Sequence, residues 1–572
     1  MIVRGLLAVV LGLAVACQSL AASARPHHAA RRRIQSMQKK KLLDDGPDYE
    51  WEERWFDTLE DNFGFQPEAR TFPLRYLFND SWWTPDDNGP IFLYAGNEGD
   101  IETFADNTGL MWELAPEFGA LVVFAEHRFY GKSIPGRGRA AQLFPDDVAS
   151  ADSADLSLLT VEQAMADYAA LSMHLKDKLD AQGSPIIVFG GSYGGMLATY
   201  MRVRYPWVFE GAVAASAPIL YFSGEADGGS FYDIVSRDFA ACADSIQRSW
   251  QAMEDVASSD KGSQRMLEAL GICTGGKDDD GALGWRDVRE WVAGVYVTLA
   301  MVNYPYPASF LGPMPAWPVS RACEAFSGTA DGEDLLREVR DAVSVALNYT
   351  GSCDCECFDV EAPQPGLDVD VWEYQTCTEF VEPLEMDGEN DMFWREPFVF
   401  DDWSDHCYDE FGVRPQSDRY AKMAYGGKDL RAATNILFSN GDLDPWSGGG
   451  VGVGARRRGG PGAPDDYKQL VFVEIAQGAH HLDLRAPNKH DPESVRTARD
   501  KEIAAIKSWV AGYSRPLFGG DYSHMAHWRV LLLGMGVGLS GGIIATTIVA
   551  GLVAMGHVNR DAEGEEHDAL LA

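Results

Sequence analysis

The residues FGGSYGGM at positions 189–196 constrain the fold of this chain more than any other stretch. An apolar run at 185–188 precedes them, and a helix-like segment at 197–201 follows. A G-x-S-x-G motif between a strand and a helix is typical of a nucleophile elbow, a tight turn that raises a serine hydroxyl above a parallel sheet. We therefore predict that Ser192 is a nucleophile and that the Tyr193 N–H, at a helix N-terminus, stabilises an oxyanion. A glycine-rich turn with an incidental serine is the alternative.

Short apolar runs on both sides of this motif predict the other strands of a parallel sheet. Each run ends in glycine or charged residues, as expected for buried central strands. The runs lie at 90–95, 120–125, 211–217, 435–439 and 470–475. Thr160 and Gln163 predict a capping box ahead of a helix that reaches Leu175, and Pro492 suits the first position of a last helix. Strands that alternate with helices indicate an α/β fold.

The acid and the base of such a site follow the serine in the chain, on loops after late strands. The candidates are Asp442 and Asp444 after the run at 435–439, and His480 and His481 after the run at 470–475. One histidine would accept the proton of Ser192 while an aspartate orients the ring. Spacing does not choose between the two aspartates, which also suit a turn. The loop after the run at 90–95 offers Gly96 and Asn97 as sources of a second oxyanion N–H.

The charge of the chain excludes some ligands. Its formal net charge is −38, although its first 41 residues contain eight Lys or Arg and no Asp or Glu. Such a surface repels nucleic acid and anionic lipid, so we expect neither as a ligand. We also expect no cofactor and no metal.

The cysteines predict disulfides. Of nine in the chain, Cys17 lies in the apolar leader and the other eight lie between positions 242 and 407. An even number of cysteines behind a secretory signal is typical of disulfide-bonded proteins. Metal binding by Cys353, Cys355 and Cys357 is the alternative, which we do not favour because no histidine lies close by.

The two ends of the chain predict a membrane-anchored protein of the secretory pathway. Residues 1–24 have the features of a signal peptide, and residues 25–48 form a basic propeptide or linker. Residues 530–555 are uncharged and long enough to cross a bilayer, after a linker at 514–529. The signal peptide would place the preceding residues in the lumen, which makes the protein type I with a cytosolic tail at 556–572.

Short motifs predict the location of the protein in the cell and its sites of glycosylation. Glu566, Leu570 and Leu571 in the tail resemble an acidic dileucine signal for sorting to endosomes and lysosomes. Residence at the cell surface is the alternative. Asn79 and Asn348 lie in N-x-S/T sequons and are candidates for glycosylation.

Four longer motifs look like those of one serine peptidase family, which contains lysosomal Pro-X carboxypeptidase, dipeptidyl peptidase II and thymus-specific serine protease. They are GGSYGGM at 190–196, EHRFYG at 126–131, NGDLDPWSGGG at 440–450 and GAHHLDLR at 478–485. The resemblance implies Ser192 as nucleophile, Asp444 as acid and His480 as base. It also implies a proline pocket at Met196 and Trp446, and cleavage after proline near a peptide end.

The same resemblance implies a domain plan. An α/β-hydrolase core at 49–217 and 408–513 would carry an inserted, mainly helical, disulfide-bonded cap at 218–407. The implied disulfides are Cys242–Cys323, Cys377–Cys407 and a bond from Cys273 to one of the cysteines at 353, 355 and 357. The family's cap motif usually reads Asp-Tyr-Pro-Tyr, whereas this chain has Asn303 at its first position. That difference leaves the specificity open, and the membrane span is also outside the family's pattern.

These features predict a membrane-anchored serine exopeptidase that cleaves peptides after proline and, from the likeness of its cap, releases a C-terminal residue. A dipeptidyl aminopeptidase of the same family is the first alternative, since the sequence does not show whether the cap recognises a free carboxylate or a free amine. A serine esterase or lipase, and a non-catalytic adhesion protein on the same fold, are two further alternatives. The oligomeric state stays open, and a homodimer is one alternative.

Overall fold

The computed structural model describes residues 49–513, with gaps at 66–68, 137–155, 274–282, 352–356, 361–368, 416–418 and 453–468. The described residues belong to one compact unit. Within them, no helix is both long and apolar enough to cross a membrane. The signal peptide, the basic segment, the span at 530–555 and the tail lie outside the described residues, as do Cys353 and Cys355.

One eight-stranded sheet forms the centre of the molecule, in the order β1-β2-β4-β3-β5-β6-β7-β8. The strands are β1 Glu52–Leu59, β2 Thr71–Asn79, β3 Ile91–Ala95, β4 Leu121–Ala125, β5 Ile186–Gly191, β6 Gly211–Ala215, β7 Ile436–Gly441 and β8 Leu470–Ile475. The pairs β1–β2 and β2–β4 are antiparallel, and all other pairs are parallel. The five runs predicted as strands on either side of the serine motif are confirmed to within two residues at each end, and the run at 185–188 belongs to β5, which continues to Gly191.

Helices cover both faces of the parallel strands, as the wholly apolar sequences of β3 and β4 require. In the first half of the chain they are α1 Ile101–Asn107, α2 Gly109–Phe118, α3 Val161–Lys178 and α4 Tyr193–Arg204. Between β6 and β7 come α5 Ser230–Asp238, α6 Ala243–Ala257, α7 Gly262–Leu270, α8 Trp285–Met301, α9 Pro318–Cys323, α10 Gly332–Leu347, α11 Val369–Thr376, α12 Phe400–Phe411 and α13 Tyr420–Tyr425. The helix α14 Glu493–Gly512 follows β8.

Two predicted helix starts differ in detail from the structure. Thr160 caps α3 by accepting a hydrogen bond from the Gln163 N–H. The reciprocal half of the capping box does not form, because the Gln163 side chain bonds Asp61 and the Asn62 N–H instead. Pro492 is the N-cap of α14 rather than its first residue. At α3 a tertiary contact of Gln163 thus replaces half of the predicted cap.

Three disulfides lie in the long excursion between β6 and β7. They join Cys242 to Cys323, Cys273 to Cys357 and Cys377 to Cys407. The first and third are the pairs that the family resemblance implies, and Cys357 is the clustered cysteine that bonds Cys273. Because the Cys357 sulfur is in a disulfide, the three clustered cysteines do not form a metal site together. The boundaries of the cap at 218–407 stay a prediction, and the sheet resumes at Ile436.

The predicted site residues lie in loops that follow the carboxyl ends of the parallel strands. Gly96 follows β3, Ser192 follows β5, Asp442 and Asp444 follow β7, and His480 follows β8. Since parallel strands end at the same edge of a sheet, these loops meet there.

Candidate active site

Ser192 lies on the predicted elbow between β5 and α4. Its backbone has φ 58° and ψ −130°, a conformation that L residues rarely adopt and that often marks an active site. The Ser192 N–H donates to the Ala215 carbonyl at 3.0 Å, which ties the turn to β6. A Cβ atom at Gly190 would lie 2.0 Å from the Gly194 carbonyl oxygen, so only glycine fits there. The tight return of the chain therefore requires the glycine and holds the serine above the sheet.

The structure separates the two candidate aspartates. The Asp444 carboxylate is fully buried, lies 2.9 Å from the His480 Nδ1 atom and accepts the Trp446 N–H at 3.0 Å. The Asp442 carboxylate instead accepts the Gln477 N–H at 2.7 Å, so it holds a neighbouring loop. The pairing of Asp444 with His480 is the one that the family resemblance implies and that spacing left open.

Backbone hydrogen bonds hold the histidine loop over the elbow. The His480 N–H donates to the Met301 carbonyl at the end of α8, and the His481 N–H donates to the Ser216 hydroxyl at 2.8 Å. Residues 215 and 216 thus bind the serine turn and the histidine loop at adjacent positions. No hydrogen bond joins Ser192 Oγ to His480 among the described residues. In enzymes without substrate this contact is often long and shortens when substrate binds.

The two histidines have different surroundings. The His481 ring lies 4.5 Å from the His480 ring and 5.2 Å from Phe310, measured between ring centroids. Burial lowers the pKa of His481 well below its usual value, and the charges of His480 and Arg485 lower it further. The His481 ring is therefore neutral and packs beside the site, whereas the His480 ring contacts the buried carboxylate.

The prediction for the second oxyanion donor needs a correction. The Gly96 N–H donates to the Ala125 carbonyl at 3.0 Å, because the β3–β4 ladder continues one residue past the strand. That N–H is not available to an oxyanion. The N–H groups of Asn97 and Tyr193 donate to no other group within the described residues. A Cβ atom at Gly194 would lie 3.1 Å from the Asn97 side-chain oxygen, so this loop lies directly against the elbow.

A buried polar network behind the elbow was not predicted. The Tyr193 hydroxyl lies 3.0 Å from His127 Nε2 and accepts from Gln375 Nε2 at 3.1 Å, and the Tyr130 hydroxyl donates to the Gln375 oxygen at 2.7 Å. Burial lowers the pKa of His127 to about 3, so its ring is neutral. The network fixes the side chain of Tyr193, whose N–H is the predicted oxyanion donor. The position of the EHRFYG motif directly after β4, at the same edge of the sheet, is the signal that could have indicated it.

The two predicted pocket residues lie on different elements, Met196 in the helix that follows Ser192 and Trp446 directly after the Asp444 loop. Met196 is completely buried in the first turns of α4. The Trp446 ring packs against Phe231 at 4.9 Å and Tyr221 at 6.1 Å, between centroids. These contacts build an aromatic wall beside Asp444, but the role of Met196 and Trp446 as a proline pocket stays a prediction.

For three other residues singled out in the sequence, the structure shows only local structural contacts or positions. Asn303, which replaces the family's aspartate, accepts the Val319 N–H at 3.4 Å and so holds the start of α9. Asn79 ends β2, and its side-chain nitrogen donates to the Glu50 carbonyl at 2.8 Å, a bond that a glycan would replace. Asn348 directly follows α10. Glycosylation at both sequons stays a prediction.

Comparison with known proteins identifies relatives along most of the chain. Residues 59–502 match the family described as Serine carboxypeptidase S28. The chain is 41% identical over 465 residues to Lysosomal Pro-X carboxypeptidase of Homo sapiens, which covers 80% of this chain and 88% of the relative. It is 38% identical over 493 residues to Prolyl carboxy peptidase like protein 5 of Caenorhabditis elegans, with 82% and 91% covered. It is 28% identical over 474 residues to Thymus-specific serine protease of Homo sapiens, with 80% and 86% covered.

Solved structures resemble this one only weakly. The epoxide hydrolase VrEH1 from Vigna radiata matches with a TM-score of 0.32 and 13% identity, covering 81% of this chain and 99% of that one. Brefeldin A esterase, a bacterial protein, matches with a TM-score of 0.26 and 13% identity, covering 92% and 94%. These scores support no conclusion of their own. The assignment of an α/β-hydrolase-like fold rests on the strand order and the elbow described above.

Proposed function

Because this chain belongs to the serine carboxypeptidase S28 family and is a serine peptidase, we propose that it releases the C-terminal residue of peptides whose penultimate residue is proline. The observation that carries the proposal is the contact between Asp444 and His480 beside the Ser192 elbow. The 41% identity to Pro-X carboxypeptidases supports the choice of substrate end. A dipeptidyl aminopeptidase is the alternative within the family.

The arrangement suits acyl transfer through a covalent intermediate. Ser192 Oγ attacks the carbonyl carbon of the bond after proline, and His480 takes the hydroxyl proton. Asp444 holds the ring through Nδ1 and stabilises the imidazolium that forms. The N–H groups of Tyr193 and Asn97 stabilise the negative oxygen of the tetrahedral intermediate. His480 then gives its proton to the leaving amine, and water releases the acyl group by the same steps in reverse.

One peptide tests which end is cut. A peptide with proline at both its second and its penultimate position is incubated with the enzyme, and the products are identified by mass spectrometry. Loss of the last residue alone supports the carboxypeptidase. Release of the first two residues would establish the aminopeptidase instead, and hydrolysis of short esters without either product would favour the esterase class. Protein with Ser192→Ala is the control for a contaminating peptidase.

The proposal also covers the location of the protein in the cell. The apolar residues 530–555 and the signal peptide support a type I membrane protein, and the name of the 41% identical relative supports a lysosomal setting. The tail residues Glu566, Leu570 and Leu571 would then face sorting adaptors. An acidic residue suits a basic patch on an adaptor, and two leucines suit an apolar slot.

The double variant Leu570→Ala/Leu571→Ala tests this address. We expect it to shift the protein from acidic vesicles to the cell surface, because the apolar contact with the adaptor is lost. Surface biotinylation of cells expressing the parent or the variant measures the shift. Equal surface fractions would mean that the tail is not a sorting signal, and the cell surface would become the better assignment.

A further inference from the structure

A buried carboxyl group lies next to the oxyanion loop and takes no part in the mechanism above. Glu98 directly follows Asn97, and its side chain is 4% exposed. Its Oε2 atom has no hydrogen-bond partner among the described residues. Burial raises the pKa of Glu98, and His480 is close enough to oppose that rise. Glu98 therefore lies next to the loop that carries the Asn97 N–H, which packs against the elbow.

A second buried carboxyl group comes from the excursion between β6 and β7. Glu382 is 3% exposed, and its Oε1 atom also lacks a partner within the described chain. Two residues earlier, the Phe380 ring packs against Tyr193 at 5.4 Å between centroids. One residue later, the Pro383 carbonyl lies 2.3 Å from the place of a Cβ atom on Gly228, just before α5. Since α5 carries Phe231 against Trp446, Glu382 lies between the Tyr193 side and the Trp446 side of the site.

Neither carboxyl group has an Arg or Lys partner in the part of the chain that the structure describes. Burial and the charge of Glu98 together raise the pKa of Glu382 to about 8. Buried charges are normally paired, and an unpaired buried carboxylate is costly. Two such groups beside a catalytic centre thus have acceptor atoms for a ligand that brings its own charge.

We propose that Glu98 and Glu382 form a subsite for a cationic group of the peptide substrate, close to the proline that precedes the cut bond. Binding of an ammonium group would displace the protons that burial and like charge leave on the pair, and it would supply donors to the open oxygens of both carboxylates. A substrate carboxylate is the opposite case, because it would bind only while both groups keep their protons, and the Glu382→Gln variant below distinguishes the two cases. The inference rests on the proposed post-proline peptidase activity and adds a preference that the activity alone does not require.

Two parts of a peptide could supply the cation, and they have different consequences. An N-terminal ammonium two residues from the cut would favour the dipeptidyl aminopeptidase alternative. A Lys or Arg side chain before the proline would give a carboxypeptidase with a basic preference. Both sources present an N–H cation to the carboxyl groups. Peptides that carry the charge at only one of the two places distinguish them.

The test compares peptides that differ only in charge. One peptide series has a free or an acetylated N-terminus, and a second has lysine or norleucine before the proline. We expect the parent enzyme to bind the cationic member of one series more tightly. The variant Glu382→Gln should raise the KM for that member by about 10- to 100-fold, the effect of losing a bond to a charged group. The KM for its uncharged counterpart should change by less than about threefold.

Controls separate this inference from a general loss of activity. Glu389→Gln makes the same chemical change at an exposed position nearby and should leave both peptides unaffected. Binding of the same peptides to Ser192→Ala protein, measured by calorimetry, tests the subsite without turnover. Cleavage after proline with equal parent KM values for charged and uncharged peptides would overturn the subsite but not the activity. A Glu382→Gln variant that binds all peptides better would point to carboxylate recognition and would also overturn it.

Discussion

Asp442 and Asp444 lie two residues apart, yet their carboxylates serve different parts of the molecule. The buried Asp444 bonds the His480 ring and the Trp446 N–H, both of which belong to the site. Asp442 holds the Gln477 N–H in the loop that leads from β8 to the histidines. Asp444 therefore contacts the proposed base directly, while Asp442 contacts the chain that carries it.

Substitution of each aspartate by alanine tests this division. We expect Asp444→Ala to lower kcat by about 10⁴-fold, since the histidine loses the group that orients it and stabilises its charge. Asp442→Ala should change kcat by less than about tenfold and lower the free energy of unfolding by about 1 kcal/mol, the worth of one hydrogen bond. Steady-state kinetics and thermal unfolding measure the two effects. A larger kcat loss at Asp442 would show that the acid is wrongly assigned.

At the scale of elements, the turn between β5 and α4 depends on close backbone contact. The place of a Cβ atom on Gly190 is 2.0 Å from the Gly194 oxygen and 2.8 Å from the Gly195 nitrogen. Any side chain there would push the start of α4 away from β5. Because α4 carries the Tyr193 N–H, a shift of the helix would also displace the proposed oxyanion donor.

We therefore expect Gly190→Ala to lower kcat/KM by about 100-fold, since a displacement of about 1 Å near the chemistry has effects of that order. Overpacking should also reduce the free energy of unfolding by about 1–3 kcal/mol. Gly229→Ala is the matched control, because its Cβ atom would meet only one atom, at 3.7 Å. Kinetics of both variants give the comparison. Full activity in Gly190→Ala would mean that the turn is more adaptable than its contacts indicate.

The same elements show what the sequence could and could not predict. The run at 470–475 became β8 without a change of bounds, because a short apolar run between loops has few other structures available. The occupation of the Gly96 N–H by Ala125 was not predictable, since it depends on how far the β3–β4 ladder continues. The proximity of Glu98 and Glu382 was also invisible, because no periodic pattern relates residues so far apart in the chain. Local sequence patterns predict helices and strands. Contacts between residues that are distant in the chain become known only from the three-dimensional structure.

At the scale of the whole molecule, buried ionisable groups make stability depend on pH. Burial raises the pKa of Glu126 and Asp238 to about 7 and that of Glu382 to about 8. Between about pH 4.5 and these values the folded protein holds protons that the unfolded chain has lost, so these groups stabilise the fold in acid and lose that effect as pH rises. Burial of neutral His127, with its pKa of about 3, acts in the opposite sense below about pH 6.5.

Above pH 6.5, only the carboxyl groups of Glu126, Asp238 and Glu382 among these residues still make the free energy of unfolding change with pH. We therefore expect the melting temperature to fall between pH 6.5 and pH 8, by roughly 2–4 °C for each kcal/mol lost. The variant Glu382→Gln should show a shallower fall, since an amide does not titrate. Scanning calorimetry across this pH range measures both curves. A melting temperature that is constant or rises toward pH 8 would contradict the prediction.

The long excursion of the chain between β6 and β7 has a consequence for how the protein is made. Strand β6 ends at Ala215 and β7 begins at Ile436, although the two strands are hydrogen-bonded neighbours in the sheet. A ribosome adds about 5–20 residues per second, so the edge of β6 waits on the order of tens of seconds for its partner. All six cysteines of the three disulfides emerge during that interval. All the cysteine partners are thus present before the sheet can close, and the nascent chain needs protection of an exposed apolar edge until β7 arrives.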